Sequence, residues 1–285
     1  MHIKITADST CDLSRELLDQ YQIEILPLYV VKDGVSYRDG LEIIPQDIFD
    51  FVAQGNDPCK TAAVSVADYE ACFARLSPLY DAVIHVNISA EFSSCYQNAS
   101  LAAQQFSNVY AVDSRNLSTG SGHVVLEAAQ LAEQGFEAEE IVRRLQDLAG
   151  RVEASFVIDS LEYLHKGGRC SSLAALGANL LHLKPCIEVV DGRMKVGKKY
   201  RGPFEKCLLS YVEERLKDRK DLLDDRIFVT HTPCDPKTVE AVKKSVKRYG
   251  RFSRIFETEA GCTVSSHCGP NTLGILFIRR QKKGA

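Results

Sequence analysis

Residues 3–21 read I-K-I-T-A-D-S-T-C-D-L-S-R-E-L-L-D-Q-Y, and residues 23–31 read I-E-I-L-P-L-Y-V-V. Ile3 to Ala7 reads as a strand. Asp12 to Tyr21 reads as a helix, with Asp12 as its N-cap and Glu16 in its first turns. Ile23 to Val31 reads as a second strand. Strand and helix in alternation open an α/β fold.

The alternation continues along the chain. The segment K-D-G-V-S-Y-R-D-G (32–40) predicts a hairpin around Asp33-Gly34. Helices are expected over 45–54, where Pro45 suits a first turn, and over 66–76, 93–106, 122–134 and 138–151. Strands are expected over 82–88 and 109–112. After Arg151 the pattern changes. A strand over 155–158 leads to a D-G hairpin signal at Asp191-Gly192, between apolar runs at 186–190 and 193–196. Helices at 204–218 and 236–249 then alternate with strands at 227–230, 255–258 and 273–278. The expectation is two α/β domains. Residues 1–151 form a doubly wound, mostly parallel sheet, and residues 152–285 a smaller mixed sheet with helices.

Composition bounds the function. The 285 residues are 45% hydrophobic and 26% charged, with a formal net charge of −3, so no basic field points to nucleic acid. Trp is absent and aromatics make up only 8%, which argues against a stacking platform for bases. The ten cysteines include no C-x-x-C pair and no Cys/His group with zinc spacing. They are expected to be small buried hydrophobes in a reduced, cytoplasmic protein. The first residues carry no signal-peptide pattern, and the apolar run Ile25 to Val31 is far too short to span a bilayer. The final R-R-Q-K-K-G-A reads as a solvated basic tail.

Open α/β sheets bind ligands at the carboxyl ends of their strands. Asp8-Ser9-Thr10, Ser89 to Ser94 and Asp113-Ser114 all follow predicted strands, and hydroxyls and N–H groups there suit an anionic head group. The G-x-S-x-G, P-loop and H-E-x-x-H motifs are absent, and Gly120-Ser121-Gly122 lacks the third glycine of a dinucleotide fingerprint. Ser93, at a strand–helix turn, reads either as a cap or as a nucleophile. His267, in S-S-H-C-G-P-N (265–271), reads as structural or as a general base. Arg169 closes L-E-Y-L-H-K-G-G-R (161–169) and reads as a surface residue after a glycine-terminated helix. Thr61 by itself is an ordinary loop threonine.

In order and spacing these segments resemble the DegV family of bacterial fatty-acid-binding proteins, over essentially the whole chain. The resemblance rests on I-T-A-D-S-T-C-D-L (5–13), Y-R-D-G (37–40), Thr61, F-S-S-C-Y-Q-N-A (92–99) and V-D-S (112–114) with Ser118 and Gly120. It continues through the 161–169 segment, L-K-P (183–185), Asp191-Gly192, Arg201-Gly202 and H-C-G-P (267–270). It implies one long-chain fatty acid of the palmitate, stearate or oleate class, in a buried tunnel with its carboxylate between the domains. Thr61 and Ser93 would bind the carboxylate, with the Ser94 N–H and His267 beside it. Arg169 and Arg201 would lie at the head-group rim or dock a partner. The Leu173 to Leu183 stretch is either tunnel wall or ordinary helix core.

The implied partner is an ATP-dependent fatty-acid kinase that converts the bound acid to acyl phosphate for phospholipid synthesis. That arrangement needs no catalytic residue, cofactor or metal in this chain, allows a transient membrane-surface contact, and leaves a monomer as the default. The sequence departs from the family pattern at T-A-A-V-S (61–65), where the family has T-S-Q-P-S, and at Asn271, where it has glycine. Two other readings stay open: an acyl hydrolase or transferase with Ser93 as nucleophile and His267 as base, and a lipid sensor without a kinase.

Overall fold

A computed structural model describes residues 2–168 and 183–281. Strands β1 (Ile3–Asp8), β2 (Glu24–Leu26), β6 (Ala82–Asn87) and β7 (Val109–Asp113) form a parallel sheet in the order β2-β1-β6-β7. Every residue of β6 is buried, which explains its nearly unbroken apolar run. Helices α1 (Arg15–Gln20), α5 (Thr119–Glu133) and α6 (Ala138–Ala149) cover one face, through Leu17, Val125 and Ile141. Helices α3 (Val66–Leu76) and α4 (Cys95–Ala103) cover the other, through Tyr69, Phe73 and Ala99.

Every later strand among the described residues joins a second sheet. Its order is β10 (Arg193–Arg201), β9 (Leu183–Val190), β8 (Val152–Ile158), β13 (Thr272–Arg279), β11 (Leu222–His231) and β12 (Arg254–Glu259). Pairing is antiparallel except between β11 and β12. This is the expected parallel sheet followed by a mixed one, although the mixed sheet has more strands. Side chains alternate across it. Ile227, Val229, Ile275 and Phe277 pack under α8 (Phe204–Leu216) and α9 (Pro236–Tyr249). Phe228, Leu276 and Ile278 face the other way, into the core shared with α5 and α6. The two sheets are thus joined by buried apolar surface.

Most expected elements appear within a few residues of their predicted bounds. Both D-G hairpins form, with positive φ at Asp33 and Gly34 (51° and 76°) and at Asp191 and Gly192 (53° and 79°). Three expectations are corrected. The strand expected over 23–31 breaks at Pro27, which has no N–H to give a ladder. Beyond the break, β3 (Tyr29–Lys32) pairs with β4 (Val35–Arg38) and with the unforeseen β5 (Lys60–Ala62) in a separate small sheet. Asp12 does not cap α1: its backbone is left-handed (φ 49°), and Ser14 is the cap, accepting from Leu17 N at 3.4 Å. The helix expected from Ser93 begins at Cys95, with Ser94 at the N-cap position.

The glycine-terminated helix expected before Arg169 is α7 (Glu162–Gly167), whereas the short helix α10 (Cys262–Cys268) was not foreseen. Six of the seven α10 residues are buried, so no amphipathic period marks it. Among the described residues, nine cysteines are free and eight of these are buried. No helix among those residues is long and apolar enough to cross a membrane, and no His/Cys/Asp/Glu group there is arranged to hold a metal.

Candidate functional site

Strand register carries Thr61 to the site, since Thr61 lies opposite Val30 in the β3–β5 pair. Helix α10 carries His267, and Thr61 Oγ1 meets His267 Nε2 at 2.8 Å. Ser93 sits in the turn between β6 and α4. These three side chains line one small cavity with Thr263 and apolar groups that include Leu28, Ile88, Phe92, Leu117, Met194 and Val264. Segments more than 200 residues apart in sequence therefore converge there.

The cavity measures about 50 Å³. A second, of about 30 Å³, shares Leu117, Val264 and Cys268 with it and runs on past Phe156, Thr230 and Leu276 of the six-stranded sheet. By a measure in which one water needs roughly 10–15 Å³, the two hold a few waters. Larger hollows lie elsewhere. One of about 340 Å³ is lined by Arg115, Arg215, Arg219 and Arg279 with Glu153 and Glu188. Arg215 there is held by Glu153 at 2.9 Å and by Glu188 at 3.1 Å.

The two glycine-bearing strings are packed against each other. A Cβ on Gly167, the last residue of α7, would run into His267 Nδ1. A Cβ on Gly269, whose φ is 76°, would lie 2.6 Å from the Tyr163 ring. Gly168 closes α7 in the left-handed conformation, its N–H donating to His165 O at 3.3 Å. The glycines of H-K-G-G and H-C-G-P thus let α7 and α10 interlock, and this close approach places the His267 ring. Asn271 adopts φ 53°, the left-handed backbone that asparagine tolerates, so the turn survives the loss of glycine. In T-A-A-V-S, Ser65 caps α3 by accepting from Asp68 N at 3.1 Å, and Asp68 Oδ2 accepts from Ser65 N at 3.3 Å.

Not every candidate residue reaches the cavity. Ser94 is exposed beside it. Arg201 is exposed at the end of β10 opposite Leu183, seven residues from Met194, or roughly 20 Å along the strand. Arg169 lies outside the described residues, as does the Leu173 to Leu183 stretch up to its last residue.

The strand-end polar clusters do not form an anion site of their own. Asp8 accepts from Tyr69, His85, Asn87 and Ile88 N. Ser89 donates to Gly192 O, and Asp113 accepts from Arg115 N. Asp8, Ser89 and Asp113 thus find internal partners, the buried Thr10 hydroxyl has none among the described residues, and Ser93 is the polar residue of these clusters that lines the cavity. The Ser93 hydroxyl donates to Cys95 Sγ at 3.1 Å, while His267 Nε2 is engaged by Thr61. A serine nucleophile and its base need a bond to each other, and these are not the bonds the two side chains make. Burial, then the nearby Asp8, pushes the Cys95 thiol up to about 12, so it stays a neutral hydrogen-bonding partner.

Thr263 was not foreseen. Its hydroxyl is buried, has no hydrogen-bond partner among the described residues, and borders the cavity. It stands one helical turn before His267, on the same face of α10. Only the recognition of α10 as a helix would have paired these two residues.

Fold and cavity define an α/β protein with a mainly apolar cavity carrying a few convergent polar groups. The chain belongs to the DegV family: the family model described as "Uncharacterised protein, DegV family" matches residues 2–280. It is 31% identical over 280 residues to a DegV domain-containing protein of Caldanaerobacter subterraneus, covering 96% of this chain and 98% of that one. A DegV family protein of Thermus thermophilus, described by its fatty-acid binding, superposes with TM-score 0.89 at 30% identity, covering 98% of this chain and all (100%) of the other. A stearic-acid-binding protein of Eubacterium ventriosum superposes with TM-score 0.83 at 25% identity, covering 98% and 99%.

Proposed function

We propose that this protein binds one long-chain fatty acid and presents its carboxylate to a partner ATP-dependent kinase. The carboxylate would lie among Thr61, Ser93 and His267, with the Ser94 N–H as a further donor. The observation that carries this reading is the Thr61–His267 pair beside Ser93 in a cavity otherwise apolar but for Thr263. The descriptions of the Thermus and Eubacterium proteins support it. A buried carboxylate is costly without donors, and hydroxyl, imidazole and N–H groups provide them. About fifteen methylenes at ~0.8 kcal/mol each give on the order of 12 kcal/mol gross, partly offset by the entropy of association. The acyl chain would enter along the second cavity and spread its apolar walls, because the present volumes are smaller than such a chain.

The kinase would supply phosphoryl transfer and yield acyl phosphate for phospholipid synthesis, in keeping with a chain that carries no P-loop. Arg169 and Arg201 are assigned to the surface that meets it, in a cytoplasmic monomer divided near Arg151. The test is organic extraction of the purified protein followed by mass spectrometry. One fatty acid per chain is expected. A chain that is empty and also fails to take up added palmitate would exclude the carrier role. Turnover of an acyl ester that Ser93→Ala abolishes would establish the hydrolase instead.

A further inference from the structure

We infer that Asp12 and Asp39 are positioning residues that frame the cavity, tying α10 to the two other walls that meet it. Both carboxylates are buried. Asp12 Oδ1 accepts from Gly261 N at 2.9 Å. Asp39 Oδ1 accepts from Cys262 N at 2.8 Å, and its Oδ2 from Thr263 N at 3.1 Å. Three consecutive backbone N–H groups leading into α10 are thereby held by residues more than 220 positions earlier in the chain. The same carboxylates reach the opposite walls. Ser9 Oγ donates to Asp39 Oδ2 at 3.0 Å and accepts from the N–H of Leu28, a cavity residue, at 3.1 Å. Ser118 Oγ, next to the cavity residue Leu117, bonds Asp12 Oδ2 at 2.5 Å. Leu28 is therefore joined to Thr263 through Ser9 and Asp39, and the Leu117 wall to Gly261 through Ser118 and Asp12, while His267 follows Thr263 by one turn.

The two carboxylates are not chemically equivalent. Asp39 accepts three hydrogen bonds on two oxygens, so it acts only as an acceptor. Asn in its place would turn one of those oxygens into an N–H donor facing other donors. Asp12 has one N–H donor and one hydroxyl, and a hydroxyl can serve as donor or acceptor. Burial holds the Asp12 carboxyl up to about 8, so it carries its proton at neutral pH, and Asn is a close substitute there. Gly261 sits between them. A Cβ on it would lie 3.1 Å from Asp12 Oδ1 and 3.4 Å from Asp39 Oδ1, so Gly261→Ala is a small wedge under the frame.

The inference rests on the cavity described above, and its test separates it from fatty-acid binding. The imidazole nitrogen resonances of His267 would be recorded by NMR in fatty-acid-free protein, and palmitate affinity measured separately. Asp39→Asn should move the His267 signals and weaken palmitate binding at least tenfold. Asp12→Asn should cost about threefold, and Gly261→Ala should fall between. Gly261→Ala decides the matter if Asp39→Asn does not fold. Folded Asp39→Asn and Gly261→Ala proteins with wild-type His267 signals overturn the inference, as does an Asp12→Asn loss equal to that of Asp39→Asn. If wild-type protein binds no palmitate, the proposed function fails, while the His267 signals still judge the frame.

Discussion

Asp8 ends strand β1 and Asp12 lies four residues further on, and both are buried, but they face different parts of the molecule. Asp8 turns into the parallel sheet. It accepts from Tyr69 OH at 2.6 Å, His85 Nε2 at 3.1 Å, Asn87 Nδ2 at 3.2 Å and Ile88 N at 2.9 Å, all within the first hundred residues. Asp12 turns outward to Gly261, and with Asp39 it secures the helix that carries His267. One carboxylate organises a local core, and the other joins distant segments at the binding site. Removing the first should damage the fold. Disturbing the second should damage the site before the fold.

The largest expected effect is that of Asp8→Ala. It removes the acceptor shared by four buried donors, of which the Asn87 amide keeps a bond to Tyr69 OH, and the cost should be about 3–5 kcal/mol in urea unfolding. A cost no greater than that of Asp12→Ala would erase the distinction. Next comes Gly167→Ala, which presses a methyl group on the His267 ring. Overpacking of about 1–3 kcal/mol should accompany a tenfold or greater loss of palmitate affinity, read by calorimetry. Unchanged affinity would mean that α7 does not place His267.

Asp12→Asn sharpens the comparison through pH. Folded Asp12 keeps its proton up to about pH 8, whereas an unfolded aspartate releases it near ~3.9. Between these values the folded state binds the extra proton. The contribution of Asp12 to stability is therefore complete below about pH 4 and is lost as pH rises toward 8. Its charged neighbour is Asp39, and the nearby Cys11 and Cys262 thiols are pushed far up by burial. The stability of Asp12→Asn relative to wild type should climb from pH 5 to pH 8 in parallel urea titrations. A flat or falling difference would remove Asp12 as the titrating group. The smallest effect belongs to Thr61→Val, which deletes the bond to His267 at nearly constant volume. Palmitate affinity should drop about two- to tenfold, corresponding to about 0.5–1.5 kcal/mol, with little change in unfolding.

The same contrast marks what the sequence made legible. Strands such as Ala82–Asn87 and helices such as Val66–Leu76 and Pro236–Tyr249 announce themselves by apolar runs, period, and Pro or Gly punctuation. Those signals are local, and so are the contacts they report. Family resemblance brought forward Thr61, Ser93 and His267, and the structure puts them on one cavity. Asp12 was misread as a helix cap because its true partner is 249 residues away. Thr263 escaped notice because α10 is buried nearly all round and shows no period. The two glycines of K-G-G looked like turn residues. One is a turn residue, and the other leaves room for an imidazole from across the chain.

The central claim is that a fatty-acid carboxylate rests among Thr61, Ser93 and His267. The most direct measurement is a titration with palmitate labelled at its carboxyl carbon, followed by carbon NMR, on wild-type protein and on the Thr61→Val, Ser93→Ala double variant. The account predicts one bound carboxyl resonance that saturates at one palmitate per chain, and its loss or displacement in the double variant. No bound resonance with wild-type protein, or the same resonance in both proteins, would contradict it.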